Sequence, residues 1–192
     1  MSIKILWLDV ESTGLTPANG LIQIGAMIEL DGLVVETINY RMNICAGDQI
    51  VDAALQCNGI TRQQLRTFPH PSVKYHRFVN VLKEYVDHED PNDTFILAGY
   101  NVNFDLRMLK AWFEKNDPSF CIHNLIDESA YDVLGLTRQW FKKQGIKVGK
   151  GGTVENHKLT TIAAYFNIEE DFHDALGDIR ATKKIYEIVS GG

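Results

Sequence analysis

Residues 3–11, Ile-Lys-Ile-Leu-Trp-Leu-Asp-Val-Glu, run straight into Ser12-Thr13-Gly14-Leu15, and this junction constrains the chain more than any other stretch. A run rich in β-formers ends in two carboxylates one residue apart, and a glycine turn follows at once. Successive side chains of a strand alternate faces, so Trp7, Asp9 and Glu11 point one way and Leu6, Leu8 and Val10 the other. Asp9 and Glu11 then sit side by side, with Cα atoms roughly 6.5–7 Å apart at the rise of a strand. Two like charges at the end of a core strand are costly to bury unless a cation compensates them. The alternative is a strand end fraying into solvent, and the rest of the chain has to decide between the two.

At 192 residues the chain is expected to form one domain, residues 1–192, around a single sizeable core. Hydrophobic residues make up 45% and charged residues 23%, which excludes wholesale disorder. No apolar run approaches the ~20 residues of a membrane span, and Met1-Ser2 leads directly into the strand with no room for a signal peptide. Cys45, Cys57 and Cys121 are odd in number and widely spaced, the pattern of reduced thiols in a cytoplasmic protein. A net charge of −6 argues against coating nucleic acid by bulk electrostatics. It leaves open an enzyme that grips a few phosphates through bound cations.

Residues 21–30 and 33–42 read as strands joined by Asp31-Gly32, a two-residue hairpin signal, so the chain opens with an antiparallel three-strand unit. Residues 48–56 suggest a short helix stopped by Asn58-Gly59, and Thr61 with Gln64 forms a capping box for the next. Pro71-Ser72 opens a longer helix over 73–86 with Val73, Phe78, Val79, Leu82 and Val86 as its core face and looser support from Tyr75. Residues 87–93 are an acidic connector. Residues 94–98 form a central strand, followed by helices over 103–115, 129–143, 159–166 and 175–189. Residues 142–158 carry five lysines and four glycines against one acid, Glu155, and read as a mobile surface loop, with a backbone-phosphate contact as the alternative. Gly149-Lys150-Gly151 lacks the spacing of a P-loop. The order of elements predicts an α/β layer on a mixed sheet.

Two helices repeat the anomaly of the first strand. Asp105 shares the apolar face of its helix with Leu109 and Trp112, and Asp178 lines up with Thr182, Ile185 and Val189, while Arg180, Lys183, Lys184 and Glu187 face solvent. Four inward carboxylates, Asp9, Glu11, Asp105 and Asp178, balance two divalent cations, an arrangement suited to attack of water on a phosphodiester. All-oxygen ligation points to Mg²⁺ or Mn²⁺. His173, just ahead of Asp174 as an expected N-cap, is the nearby side chain that titrates near neutrality and can take a proton from water.

Asp9-x-Glu11 with Ser-Thr-Gly-Leu, Asn101-x-x-x-Asp105 with Phe104, and His173-Asp-Ala-Leu-Gly-Asp178-Ile-Arg-Ala-Thr182 together resemble the three motifs of the DEDDh 3′–5′ exonucleases, which include proofreading domains, ribonuclease T and oligoribonuclease. The resemblance implies a ribonuclease-H-like mixed sheet of about five strands flanked by α-helices, and removal of mononucleotides from a 3′ end. It implies two metals on Asp9, Glu11, Asp105 and Asp178, with His173 as general base. It also places the 3′-terminal nucleotide at Thr13, Gly14 and Leu15, with Leu15 against a base, and puts Tyr100, Asn101 and Phe104 beside the substrate. Many members have His-Asn where this chain has Tyr100-Asn101, and His-Gly-Ile where it has Asn58-Gly59-Ile60; Tyr100 can substitute by stacking on a base. The expected partner is the 3′ end of single-stranded or frayed nucleic acid, DNA before short RNA, with no membrane. No tail segment supports a polymerase association. A non-catalytic binding protein on the same fold is the rival class, and it is disfavoured because all five catalytic groups are present.

Overall fold

The computed structural model describes residues 2–87, 89–172 and 174–191, Glu128 by its backbone alone. Five strands, β1 (Lys4–Ser12), β2 (Leu21–Leu30), β3 (Leu33–Arg41), β4 (Phe95–Gly99) and β5 (Ile126–Asp132), form one sheet in the order β3-β2-β1-β4-β5. β1 and β2 pair antiparallel, as do β2 and β3; β4 is parallel to both β1 and β5. The β2–β3 turn is the hairpin that Asp31-Gly32 predicts, with φ of 49° and 87° at its two residues, both left-handed as a type I′ turn requires. Among the described residues seven α-helices flank the sheet: α1 (Asp52–Cys57), α2 (Arg62–Thr67), α3 (Pro71–Lys83), α4 (Asn103–Asn116), α5 (Val133–Lys143), α6 (Leu159–Tyr165) and α7 (Ala175–Ser190). This is the mixed, ribonuclease-H-like sheet expected from the sequence.

The alternation of β1 partitions the core. Leu6, Leu8 and Val10 pack with Tyr75, Phe78 and Leu82 of α3 and Leu109, Trp112 and Phe113 of α4. Ile5 and Trp7 pack on the opposite face with Phe141 of α5, Ile162 of α6 and Ile179 and Ile185 of α7. Both faces of β1 are therefore covered, and only towards its C-terminal end do side chains, Asp9 and Glu11, become partly exposed. Among the described residues no helix is long and apolar enough to cross a membrane, and all three cysteines are free thiols.

Four expectations need correction. Residues 129–132 finish β5 rather than opening a helix, because pairing with β4 overrides a weak local preference; the helix starts at Val133, where Asp132 accepts the Leu134 N–H at 3.2 Å. The stripe of α3 runs through Pro71, Tyr75, Phe78, Val79 and Leu82 at helical spacing, so Tyr75 is central to it and Val73 is 59% exposed. Residues 48–51 are extended, since Asp48 accepts the Cys45 N–H and pairs with Lys115 while Val51 donates its N–H to Thr13, so α1 begins only at Asp52. Lys183 does not face solvent: its Nζ lies 2.8 Å from buried Glu29, which also accepts the Trp7 indole N–H at 3.0 Å. Lys142 and Lys143 end α5, and the remainder of 142–158 is the expected surface loop, closed on itself by the Val148–Val154 bridge, with Val154 buried and Ile146 and Val148 packed beside it.

Candidate active site

The carboxylates converge because β1, the central strand, ends where α4 and α7 begin. β1 brings Asp9 and Glu11 there on the face that α7 covers. α7 gets close enough through a missing side chain on β2. Gly25 pairs directly with Asp9, and a Cβ on it would lie 2.7 Å from the Ala175 carbonyl carbon and 2.8 Å from the Leu176 nitrogen. The first turn of α7 therefore rests on bare backbone opposite Asp9, and this seats Asp178, one turn into the helix, beside the pair. One carboxylate oxygen from each of Asp9, Glu11 and Asp178 lies within 4.8 Å of the others.

Asp105 arrives from the opposite face. β4 pairs with β1 only as far as Ala98 opposite Trp7, so beyond that point the edge of β1 is open. Asp105 Oδ1 fills it, accepting the Val10 N–H at 3.0 Å. The side chain is buried and lies on the Leu109 and Trp112 face, as the helical spacing predicts. It stands outside the 4.8 Å triad, yet its charge is the largest electrostatic influence on Asp9.

So much negative charge in one place is unfavourable when the groups face only one another. Burial, and then repulsion from Asp105, Asp178, Glu11 and Asp174, pushes the Asp9 carboxyl well above the usual carboxylate range. Burial together with Asp178 and Asp174 pushes Glu11 up to about 7. Burial raises Asp105 as well, against the pull of the Val10 N–H. Asp174, at the N-cap position of α7, behaves oppositely: hydrogen bonds from Gln23 at 2.8 Å and Arg41 at 3.3 Å outweigh its burial and hold its carboxyl below its ordinary value. His173, the expected proton acceptor, lies outside the described residues.

The turn after β1 is built by Thr13. Its hydroxyl donates to Gln49 O at 2.6 Å and accepts the Gly20 N–H at 2.8 Å, and its own N–H and C=O bond Gly20 and Val51. Thr13 is fully buried by these contacts and shapes the turn, whereas Leu15 is 77% exposed at its tip. A Cβ at Gly14 would meet the Asn19 side chain at 2.4 Å, and Asn19 is itself held there by the Thr16 N–H and hydroxyl. Gly14 and Leu15 line a largely apolar groove of about 540 Å³ with Val51, Ala53 and Ala54.

Asn101, at φ 61°, turns the chain from β4 into α4 and donates its N–H to Asp132 Oδ1 at 2.9 Å. Tyr100 is half-buried and its hydroxyl donates to His157 O at 2.7 Å, so its outer edge is already engaged. Phe104 packs partly into the core, with the Arg107 guanidinium 5.7 Å from its ring centre. Sequence reasoning did not single out Gly25, Gln23 or the Val51–Ala54 wall. A glycine inside an otherwise apolar strand was the available signal for Gly25, since it marks a close backbone approach. The wall residues offered no such sign.

Three comparisons bear on this geometry. The exonuclease (RNase_T) family model matches residues 6–186. A PolC-type DNA polymerase III from Latilactobacillus sakei subsp. sakei (strain 23K) is 27% identical over 186 residues, covering 94% of this chain and 11% of the polymerase. Escherichia coli exonuclease I solved with a dT13 oligonucleotide superposes with a TM-score of 0.76 at 22% identity, covering 98% of this chain and 41% of that one. The same exonuclease with a 5cy-dT13 oligonucleotide gives 0.75 at 21% identity, over 100% and 41%. This chain thus spans about two-fifths of the exonuclease and a small fraction of the polymerase.

Proposed function

This chain belongs to the exonuclease family, of the DEDDh type, and from that premise we propose that residues 1–192 act as one metal-dependent domain that removes nucleoside 5′-monophosphates from the 3′ end of single-stranded or frayed DNA. The observation that carries the reading is the carboxylate cluster: three oxygens within 4.8 Å, a fourth buried acid coupled to them, and ionisation suppressed by burial and mutual repulsion. No basic side chain among the described residues is hydrogen-bonded to Asp9, Glu11 or Asp105, so the cluster needs positive charge from elsewhere.

The donor set fits hard divalent ions. Asp9, Glu11, Asp105 and Asp178 offer only oxygens, which suits Mg²⁺ or Mn²⁺, and their four charges match two such ions. When bound, these ions supply Lewis-acid stabilisation of the charge that develops on the phosphoryl and leaving oxygens. The protein's own groups do the rest. Asp105, held through Val10, fixes one side of the site relative to the β1 backbone. Asp178 is fixed by the seat of α7 on Gly25. His173 takes the proton of the attacking water, being a side chain of nearly neutral pKa next to the anchored Asp174.

The apolar groove beside Leu15 takes the terminal nucleobase by packing rather than by hydrogen-bond readout, which suits an enzyme that accepts any base. Among the described residues the N–H groups of Gly14 and Leu15 donate to no protein acceptor, and these amides are available to the sugar. Asn101 and Phe104 lie on the α4 side of the cleft, and Tyr100 supports them through its bond to His157. DNA is favoured because the exonuclease I structures that share this fold hold deoxythymidine oligonucleotides. Three unpaired cysteines fit the reducing conditions of the cytoplasm, where we place the protein.

The test is digestion of 3′-labelled and 3′-blocked oligonucleotides, DNA and RNA in parallel, with Mg²⁺ or Mn²⁺. Label is expected to be released as mononucleotide from free 3′ ends only, faster from DNA. Activity that ignores a 3′ block, or that survives Asp9→Ala, contradicts the proposal. His173→Ala is expected to slow the reaction and spare metal binding; collapse of metal affinity would remove the histidine from its role as base.

A further inference from the structure

We propose that residues 138–158 form the track for the sugar–phosphate backbone of a single strand upstream of its reacting 3′ end, an inference that rests on the exonuclease reading above. The chain is acidic overall, yet this segment holds six of its 19 basic residues, Arg138, Lys142, Lys143, Lys147, Lys150 and Lys158, against the single acid Glu155. Of the thirteen basic residues elsewhere, seven sit in ion pairs, Lys4, Arg41, Arg62, Lys115, Arg180, Lys183 and Lys184, and Lys74, Arg77, Lys83 and Arg107 lie over aromatic rings. Arg138, Lys142, Lys147, Lys150 and Lys158 are exposed and form no ion pair among the described residues. Such charges are available to phosphates, and an acidic catalytic cleft needs them nearby to hold a polyanion.

The segment is also shaped and placed for that task. Gly149 donates its N–H to Val154 O at 2.8 Å and Gly152 to Gly149 O at 2.8 Å, closing a tight turn that buried Val154 pins to the core. Gly149 and Gly151 adopt φ of 98° and 71°, and a Cβ on Gly152 would lie 2.2 Å from Lys147 O, so the turn requires its glycines. Lys147 and Lys150 project from a fixed scaffold, and Asn156 caps the exit by accepting the Lys158 N–H at 2.8 Å. The far end of the turn is joined to the active site: His157 O accepts the Tyr100 hydroxyl, and Tyr100 leads through Asn101 into the helix that carries Asp105. Arg138 lies at the same junction, where its charge acts on both Tyr100 and His157. A strand with its 3′ end at the carboxylates can therefore pass Asn101 and continue over these cations.

The decisive variant is Lys147→Glu/Lys150→Glu/Lys158→Glu, three exposed residues outside the catalytic groups, read by binding of a fluorescent oligothymidylate in metal-free buffer at several salt concentrations. Three lost single-strand contacts lower the slope of log K against log salt by about 2, so that going from ~200 mM to ~50 mM salt tightens the wild type about twentyfold more than the variant. The Gln triple variant is expected to lose the same slope and guards against misfolding caused by charge reversal. Hydrolysis of the p-nitrophenyl ester of thymidine 5′-monophosphate, which is too small to reach the track, is expected to be unchanged in both variants. An unchanged salt slope overturns the track, whatever the activity. A wild type that binds the oligonucleotide with this slope but hydrolyses neither ester nor oligonucleotide overturns the exonuclease reading instead.

Discussion

Gly25→Ala tests whether the close seat of α7 on β2 is what assembles the site. The new Cβ would stand 2.7 Å from the Ala175 carbonyl carbon, 2.8 Å from the Leu176 nitrogen and 2.9 Å from the Ala175 Cβ. Carbon atoms in contact prefer about 3.5 Å, so the first turn of α7 has to lift by ~0.8 Å or the β1–β2 ladder has to bend. Backbone stands on both sides of the clash, and no flexible side chain can yield. Overpacking of this kind costs about 1–3 kcal/mol. The effect on catalysis is larger than the effect on folding, because Asp178 rides on the displaced turn and a shift of ~1 Å in a reacting group costs about 10²-fold in rate. The assay pairs thermal unfolding with kcat/KM on a 3′-labelled oligonucleotide. A folded variant with a modestly lowered Tm and a rate down about a hundredfold is expected. Gly135→Ala in α5 is the control, since its Cβ would meet nothing closer than Asp132 Oδ2 at 3.6 Å; it is expected to gain roughly 0.5–1 kcal/mol from helix propensity. Full activity in Gly25→Ala would refute the reasoning.

Further outcomes follow from the same contacts. In metal-free protein Glu11 titrates at about 7 against an ordinary 4.5, and Asp9 and Asp105 are raised too, so the folded state binds more protons than the unfolded chain in this window. The stability these groups contribute is therefore full below about pH 4.5 and is lost as pH rises through about 7; thermal melts in EDTA from pH 5 to pH 8 (roughly the range spanned by these groups) should show a falling Tm that Mg²⁺ restores, and a Tm that rises with pH would contradict it. Asp105→Asn keeps a carbonyl oxygen for the Val10 N–H and removes a buried charge, so it should raise the Tm of the metal-free protein near neutral pH while abolishing turnover. Lys183→Met leaves Glu29 buried with only the Trp7 indole to balance it, and is expected to cost about 3 kcal/mol in denaturant unfolding with no direct effect on substrate binding.

The parts of this fold that were legible in the sequence are those where local chemistry and tertiary packing agree. The run of β-formers in β1, the Asp31-Gly32 turn and the Thr61–Gln64 capping box each carry their own signal, and each is present. β5 was hidden because Ile126-Asp-Glu-Ser-Ala-Tyr-Asp alternates poorly and becomes a strand only through pairing with β4. Lys183 was misplaced because its helical position is polar by pattern, and only the sheet shows that Glu29 waits beneath it. The inward aspartates on α4 and α7 were readable from period alone. What the period could not show is that Asp105 reaches the site from the opposite face of the sheet, through the edge that β4 leaves open beyond Trp7.

The central claim is that Asp9, Glu11, Asp105 and Asp178 repel one another because they are built to share divalent cations. Calorimetric titration of Mn²⁺ into the wild type and into Asp178→Asn, at pH 6 and pH 8 (either side of the neutral range in which a carboxylate raised by burial and repulsion titrates), tests it most directly. The account predicts saturable binding to the wild type, tighter at the higher pH, with proton release at the lower pH as the ion displaces protons from the raised carboxyls, and a loss of that binding in Asp178→Asn. Equal binding by the two proteins, or a wild type that takes up no Mn²⁺ at either pH, would contradict it.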